Sequence, residues 1–193
     1  MAALRFARPG ATWLYEYGDD GTFEVPDDGK YQIEIHGGGS GAAGTYYGGN
    51  AYVASGGGSG EIFEISLNRG DQIPVVVGAG GNGHVVPSDT NATAFSGAGE
   101  SSSFGTLSVA GAKRAESDAA VYCTAGKASG SLASSGTTKL NGSGNFTLAG
   151  GEGNINNTSQ KYGDGGSVTF SNGVISCEKG KNGAVIITYL GGA

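Results

Sequence analysis

The chain has 193 residues, of which 40 are glycine and only 4 are proline, and its 11 basic and 17 acidic side chains give a formal charge of −6. Because proteins that bind a phosphate backbone need clustered Lys and Arg, this balance disfavours nucleic acid as a partner. The low proline content fits neither a collagen nor a Pro-rich linker, and no strict Gly-X-Y period is present. The length predicts a single domain that spans residues 1–193.

The N-terminal residues, MAALRFARPGATW, contain no apolar stretch of the kind found in a secretory signal, and no later run approaches the length of a membrane span. We therefore expect a soluble protein that is made in the cytoplasm and does not insert into membranes.

The two cysteines, Cys123 and Cys177, are too few for a disulfide framework and lack neighbours that would complete a zinc site. Free thiols are the expected state, and a single disulfide is the alternative.

Strand patterns begin close to the N-terminus. Residues 12–17 place three aromatic side chains, including Trp13, on one face, and residues 22–25 follow a turn of glycine and aspartate, so the two segments predict a first hairpin. Residues 30–36 alternate apolar and polar side chains, which indicates a half-buried strand. His36 ends this strand on its polar face and is predicted to be a surface histidine.

A glycine-dominated insert at 37–60 separates this strand from a second alternating strand at 61–67. The matched alternation of the two strands predicts that they pair or face each other at the edge of a sandwich, so that the insert leaves and re-enters a rigid frame. Each glycine run in the insert is only about one turn of a polyglycine II helix long. We therefore expect short stacked segments of this helix but no large bundle.

Large amphipathic side chains stand among the small residues of this insert. Tyrosine gives a large contact area at low entropic cost, and Asn and Ser add adaptable hydrogen bonds, as in antibody loops. The alternative is that the tyrosines pack back over the edge of the sandwich and shield it from another sheet. The predicted binding residues are Tyr46, Tyr47, Asn50 and Tyr52, together with His84 from a later loop.

The order of strand, glycine segment and strand then repeats. Residues 72–78 and 102–110 are predicted strands on either side of a second glycine-rich stretch. Residues 111–166 show the least regular pattern and predict a loop-rich insert within the domain. Loops of such length are uncommon in compact domains unless they have a function.

Strand patterns return towards the C-terminus. Residues 167–170 and 174–178 flank a Ser-Asn-Gly turn of the hairpin type, and a second turn is predicted at 181–183. Consecutive apolar residues at 184–190 indicate a central strand covered on both faces. The sum is about eight or nine short strands, which predict an all-β fold: a jelly-roll-like β-sandwich with long glycine-rich loops at one end or flank.

Candidate catalytic and ligand-binding motifs are sparse. The only histidines are His36 and His84, and no Gly-x-Ser-x-Gly elbow joins a strand to a helix. The sequence Gly-Ala-Gly-Gly at 78–81 follows a strand but opens no helix, so it does not predict a dinucleotide site. Paired aspartates at 19–20 and 27–28 are explained by turns rather than by calcium. We expect no enzymatic activity, no cofactor and no metal, and a cell-surface depolymerase is the remaining enzymatic alternative.

Four stretches of the sequence carry a resemblance to a known family. They are GTFEVPDDGKYQIEIHGGGSG, GGGSGEIFEISLNRGDQIPVVVGAGG, SSSFGTLSVAGA and GKNGAVIITY. In this order they resemble the glycine-rich domains of bacteriophage tail fibre and tail tip proteins, from about Thr22 to Tyr189, with 111–166 the least similar part. The resemblance implies a β-sandwich from which glycine-rich loops project, sometimes packed as polyglycine II helices, and a role in the contact of the virion with the host surface.

The resemblance also implies partners and a location. We expect a non-enzymatic receptor-binding protein of the phage tail that recognises a host surface glycan or surface protein and contacts other tail proteins of the virion. The alternative is a structural virion component, such as a decoration or fibre-assembly subunit, whose loops pack against its neighbours. Fibre tips are often trimers, although the sequence contains no coiled-coil heptads to drive trimer formation.

Overall fold

The structure is a computed structural model that describes residues 3–5, 14–86, 93–118, 122–153 and 162–192. Trp13, which belongs to the first predicted strand, lies outside these residues. The described residues form nineteen β-strands and no helix. The all-β fold predicted from the sequence is therefore confirmed, with more and shorter strands than the pattern indicates.

The strands are β1 (Ala3–Arg5), β2 (Leu14–Tyr17), β3 (Gly21–Glu24), β4 (Gly29–His36), β5 (Ala43–Tyr47), β6 (Asn50–Ala54), β7 (Glu61–Leu67), β8 (Gln72–Val76), β9 (His84–Val86), β10 (Ala94–Phe95), β11 (Ser102–Phe104), β12 (Leu107–Val109), β13 (Glu116–Ser117), β14 (Cys123–Thr124), β15 (Thr138–Gly142), β16 (Phe146–Leu148), β17 (Val168–Ser171), β18 (Val174–Cys177) and β19 (Ala184–Gly191).

Two sheets form a β-sandwich at one end of the molecule, which we call the sandwich pole. One sheet has the strand order β1-β2-β19-β4-β7 and the other the order β12-β11-β8-β3. The core between them contains Phe23, Tyr31, Ile33, Phe104 and Ile187, none of which is more than 1% exposed. Inward rows of aromatic and branched side chains thus build the sandwich that their alternation predicts.

Strand pairing in the larger sheet follows the sequence pattern in two places. β4 and β7 are antiparallel neighbours, with Tyr31 opposite Ile65, so the strands that flank the first glycine-rich insert do pair. β19 lies between β2 and β4, and its residues 184–187 are buried on both faces, as its consecutive apolar residues predict.

The predicted first hairpin is wrong, because β2 and β3 lie in different sheets. β2 pairs with β1 and β19, whereas β3 pairs with β8. The ring of Tyr15 instead meets that of Phe23 across the sandwich, with centroids 5.0 Å apart in an edge-on arrangement. Residues 18–20 therefore cross between the sheets, and the two aromatic rows face each other through the core.

Three further sheets form the opposite end, which we call the tip pole. The middle sheet has the order β15-β6-β5-β9 and is covered on both faces, by β16-β17-β18 on one side and by β10-β13-β14 on the other. Val53 and Phe170 belong to the core on the first side, and Ala43 and Val86 to the core on the second. The segment 111–166, irregular by its sequence, supplies β13 to β16 of this pole.

Glycine-rich segments pack side by side between the two poles, and most of them connect one pole to the other. For example, one runs from β4 to β5 and another from β6 to β7. Backbone hydrogen bonds join each segment to its neighbours. We call this layer the glycine bundle, and it consists of residues 37–42, 55–60, 78–83, 96–101, 110–113, 125–130, 133–137, 149–153, 163–167 and 178–183.

The central segment, 37–42, shows the three-residue period of a polyglycine II helix. Its N–H groups donate to three neighbours in rotation: Gly38 and Gly41 to segment 96–101, Gly39 and Ala42 to segment 178–183, and Ser40 to segment 55–60. Its carbonyl groups accept from three more segments, 110–113, 78–83 and 163–167. Six neighbours thus surround one helix and satisfy backbone groups that this helix cannot pair internally.

The expectation that no large bundle forms is therefore wrong. Each glycine run is short, but runs from distant parts of the chain stack laterally, so the bundle grows in width rather than in length. Serine is accommodated where its side chain has a partner: Ser40 Oγ accepts a hydrogen bond of 2.9 Å from the backbone N–H of Gly57. The breaks in the glycine runs are compatible with the lattice for this reason.

Close backbone approach explains why most bundle positions are glycine. A Cβ atom on Gly39 would lie 1.9 Å from the carbonyl oxygen of Asp164, and one on Gly99 would lie 1.8 Å from that of Gly38. These distances are far below van der Waals contact, and the obstructing atoms are backbone atoms that cannot rotate away. Glycine is required here by packing between segments rather than by a positive φ.

Two other predictions are corrected by the bundle and the turns. Residues 181–183, predicted as a turn, lie within a bundle segment that carries the chain from β18 at one pole to β19 at the other. Residues 102–110, predicted as one strand, form the hairpin β11–β12, which turns at Gly105 with a φ of 57°. The turn predicted between β17 and β18 is confirmed, with Asn172 and Gly173 both at positive φ.

Candidate functional site

The predicted binding tyrosines lie on the β5–β6 hairpin at the tip pole. Its two-residue turn is Gly48-Gly49, with φ values of 56° and 82°, flanked by the cross-strand pair Tyr47 and Asn50. Two successive positive φ values are typical of the type I′ turn, which glycine adopts without strain. A Gly-Gly dipeptide between two strand-like runs predicts a β-hairpin. The sequence-based interpretation of 37–60 as a glycine-dominated insert overlooks this signal.

The two faces of this hairpin separate the predicted tyrosines. Side chains alternate along a strand, so Tyr47, Asn50 and Tyr52 point to the side of the β10–β13–β14 sheet, whereas Tyr46 points to the side of β16–β17–β18. Tyr46 stacks on Phe170 with ring centroids 5.5 Å apart and an interplanar angle of 29°. The four residues therefore do not converge on one surface.

Tyr47 is the exposed member of the group, with 42% of its surface accessible beside the open turn. Asn50 closes the turn through a hydrogen bond of 3.3 Å from Nδ2 to the carbonyl oxygen of Gly48. Tyr52 is half-buried, and its backbone carbonyl accepts a hydrogen bond from Ser117 Oγ. Only the distal end of the hairpin is thus available to a ligand.

His84 lies apart from the hairpin tip. It is the first residue of β9, not a loop residue, and it pairs in parallel with Ala43. Tyr47 stands on β5, four residues after Ala43, and this spacing corresponds to about 13 Å along the strand. His84 is exposed, but it does not share a surface patch with the turn.

His36 is fully buried, so the prediction of a surface histidine is wrong. Its Nε2 lies 2.6 Å from Glu34 Oε1, and its Nδ1 lies 3.1 Å from the carbonyl oxygen of Ser59. The polar face of β4 meets the glycine bundle at this residue. The contact is close, because a Cβ atom on Gly60 would lie only 2.7 Å from His36 Nδ1. The imidazole therefore links the sandwich to the bundle rather than meeting solvent.

The two cysteines are free and lie on opposite faces of the middle sheet. Cys177 packs against the core of Val53 and Phe170, and Cys123 packs against the core of Ala43 and Val86. Burial raises the pKa of the Cys177 thiol to about 12 and also raises the pKa of the Cys123 thiol. These thiols behave as small apolar side chains and not as nucleophiles.

Among the described residues, large exposed apolar and aromatic side chains are concentrated at the tip pole. Sequence reasoning missed most of them, because they stand on or beside strands of only two to five residues, where alternation is too short to recognise. They are Tyr47, Val85, Phe95, Tyr122, Leu140 and Val174, with exposures from 39% to 62%. They lie on more than one face of the tip pole, since Phe95 and Val174 stand on opposite sides of the middle sheet.

Charge is distributed unevenly between the poles. At the sandwich pole the described acidic side chains are Glu16, Asp19, Asp20, Glu24, Asp27, Asp28, Glu34, Glu61, Glu64 and Asp71, against the basic Lys30 and Arg69. On the strands and turns of the tip pole, the described acidic side chains Glu116 and Asp118 are matched by Arg114 and Lys139. The described side chains therefore make the tip pole close to neutral and the sandwich pole strongly acidic.

Within the described ranges, no three His, Cys, Asp or Glu side chains come together in a way that could hold a metal ion. The same residues contain no helix long and apolar enough to cross a membrane.

Comparison with known proteins places the chain in a family. No curated protein matches it. Residues 18–193 match the glycine-rich domain family. The match includes the strands from β3 to β19 and the described segments of the bundle, and it begins after β1 and β2. The chain belongs to the glycine-rich domain family.

Proposed function

We propose that this protein is a non-enzymatic attachment protein of a bacteriophage tail fibre or tail tip, and that its tip pole binds a receptor on the host cell surface. The proposal is supported by the resemblance of its motifs to tail proteins and by the architecture of the tip pole. The observation that carries it is the exposure of aromatic and apolar side chains on and beside short strands at one end of a hydrogen-bonded bundle.

The glycine bundle favours binding by fixing the positions of the hairpins. The segments that lead into and out of the β5–β6 hairpin, 37–42 and 55–60, are hydrogen-bonded to several neighbours. A surface that is ordered before it meets its partner loses little conformational entropy on binding. Tyr47 therefore needs to order only its own side chain.

The distribution of charge favours the tip pole over the sandwich pole as the attachment surface. Most bacterial surfaces carry a net negative charge, and like charges repel at short range. The acidic sandwich pole would be repelled by such a surface, whereas the nearly neutral tip pole can approach it. The same asymmetry orients the molecule with its aromatic side chains towards the cell.

The test uses virus particles that carry this chain and the bacterium on which they are propagated. We expect an excess of the purified chain to block adsorption of the particles to intact cells, and we expect Tyr47→Ser to block less well. Leu190→Ser is the matched control, because Leu190 is 48% exposed but belongs to β19 at the sandwich pole. Equal loss of blocking in both variants, or no blocking by the unmodified chain, would contradict the proposal.

One observation supports the alternative of a structural virion component. β7 is the outermost strand of the larger sheet at the sandwich pole, and an edge of seven residues offers backbone groups to a strand of another chain. If the protein is incorporated stably into particles and its removal leaves adsorption unchanged, the structural role is favoured. Release of sugar fragments from host envelopes would instead indicate a depolymerase.

A further inference from the structure

The outer face of the β10–β13–β14 sheet combines aromatic and charged side chains. Ala94, Ser117 and Cys123 point inward from these strands, so their neighbours point to solvent. Phe95, Glu116 and Thr124 stand side by side across the face, and Arg114, Asp118 and Tyr122 occupy the adjacent outward positions. We call these six residues the outer tip face.

Two aromatic rings bracket the charged groups of this face. Phe95 is 44% exposed and Tyr122 is 39% exposed. Phe95 stands on the outer strand β10, and Tyr122 directly precedes the other outer strand, β14. This places the two rings about 10 Å apart across the sheet and about 7 Å apart along it. This separation is comparable with the length of a di- or trisaccharide.

The polar groups between the rings are held in position by one another. The Arg114 guanidinium lies 4.4 Å above the centroid of the Phe95 ring, and its Nε lies 3.2 Å from Glu116 Oε1. Asp118 accepts a hydrogen bond of 2.9 Å from Thr93 Oγ1. The pKa of Tyr122 is raised by desolvation and by the nearby carboxylates of Glu116 and Asp118.

From this arrangement we infer that the outer tip face is a binding site for a neutral oligosaccharide. A sugar ring has an apolar face of C–H groups that can stack on Phe95 or Tyr122, and a rim of hydroxyl groups. Carboxylates accept hydrogen bonds from hydroxyls, and a guanidinium donates to them, in charge-assisted bonds. The inference deepens the proposed function and rests on it, because it names the chemical class of the receptor.

Charge and size argue against other occupants. Two carboxylates face one guanidinium, so an anionic ligand would be repelled. The six residues on and beside the three strands offer an area on the order of 150 Å², whereas a stable protein interface needs roughly 800 Å² from each partner. A small neutral ligand fits this face better than an acidic polymer or a folded protein.

The test measures binding of the purified chain to an array of neutral di- to tetrasaccharides of glucose, galactose, rhamnose and N-acetylhexosamines, printed beside sialylated and uronic-acid sugars. We expect binding to at least one neutral sugar and at least tenfold weaker binding for Phe95→Ser and for Tyr122→Ser. Glu116→Gln keeps the shape of the side chain and is expected to weaken binding as well. Val76→Ser is the control, since Val76 is 46% exposed on β8 at the sandwich pole.

The outcomes separate this inference from the proposed function. Binding to acidic sugars only, to no sugar, or equally by all variants would overturn the inference. If Phe95→Ser still blocks particle adsorption as well as the unmodified chain, the inference fails while the attachment role stands. If the chain binds a neutral sugar through Phe95 and Tyr122 but does not block adsorption, the site is supported and the attachment role fails.

Discussion

The ring of Tyr46 stacks on the ring of Phe170, with centroids 5.5 Å apart, although the adjacent residue Tyr47 is 42% exposed. Two neighbouring tyrosines with the same chemistry thus have different roles, since one packs a core and the other faces solvent. A double substitution of both residues would confuse loss of binding with loss of folding.

The first prediction separates these roles by stability. Tyr46→Ala removes a half-buried ring from the core it shares with Phe170, so we expect the free energy of unfolding to fall by about 2 kcal/mol. Tyr47→Ala removes an exposed ring, and a change within about 0.5 kcal/mol is expected. Urea titration followed by tyrosine fluorescence measures both values. A loss of similar size in the two variants would show that Tyr47 also packs.

The second prediction concerns the glycine bundle. A methyl group on Gly39 would lie 1.9 Å from the carbonyl oxygen of Asp164, and neither backbone can move without breaking its hydrogen bonds. We expect Gly39→Ala to cost more than about 4 kcal/mol, or to prevent folding, as severe overpacking does. Soluble yield and thermal unfolding measure the effect.

Gly18→Ala is the matched control for that substitution. Gly18 does not have a positive φ, and the nearest atom to an added Cβ is the hydroxyl oxygen of Tyr162 at 3.9 Å, an ordinary contact. The expected change is within about 1 kcal/mol, with stabilisation possible because alanine restricts the unfolded chain. If Gly39→Ala were as stable as Gly18→Ala, the segments could not be packed as closely as described here.

Local pattern predicts the sandwich better than the bundle. Alternation within 30–36 and 61–67 is enough to predict the pairing of β4 and β7, because each strand carries its own signal. The bundle has no such signal: Gly38 donates to Glu100, and Gly39 donates to Lys181, so its hydrogen bonds depend on partners far along the chain. Counting the length of each glycine run therefore underestimates the lattice.

The candidate site shows the same limit. The sequence identifies Tyr47 as a ligand-binding candidate but does not distinguish it from Tyr46, because their difference depends on the hairpin turn at Gly48-Gly49. Phe95 and Tyr122 escape notice because they belong to strands, or stand beside strands, of two residues. Their common face is created by long-range pairing through β13, which no local pattern shows.

The third prediction uses the thiols as reporters of packing. Because burial raises the pKa of Cys177 to about 12 and also raises that of Cys123, very little thiolate is present at pH 8 in the folded protein. We expect both thiols to react with a disulfide reagent at least a hundredfold more slowly than in the chain unfolded in guanidinium. Two rapid equivalents in the native protein would contradict the burial of both cysteines.

The fourth prediction concerns stability at high pH. Burial raises the pKa of Tyr31 to about 12, and its hydroxyl donates a hydrogen bond of 2.7 Å to the carbonyl oxygen of Asp27. Between pH 10 and pH 12 the unfolded chain loses this proton while the folded chain keeps it. The contribution of Tyr31 to the free energy of unfolding is therefore fully present below pH 10 and is lost as the pH rises through this window. One such group contributes a slope of at most about 1.4 kcal/mol per pH unit.

Tyr31→Phe tests this assignment, because phenylalanine fills nearly the same volume and cannot ionise. The variant loses one buried hydrogen bond and is expected to be about 1 kcal/mol less stable at pH 7. Its stability should nevertheless fall less steeply than that of the unmodified chain between pH 10 and pH 12, with the remaining slope due to other groups whose pKa values are also raised by burial, among them Tyr15, Tyr17, Tyr162 and Cys177. Urea titrations at pH 8, 10 and 11.5 measure the slopes. Equal slopes in both proteins would mean that Tyr31 ionises as readily in the core as in the unfolded chain, and that the packing between the two sheets admits water.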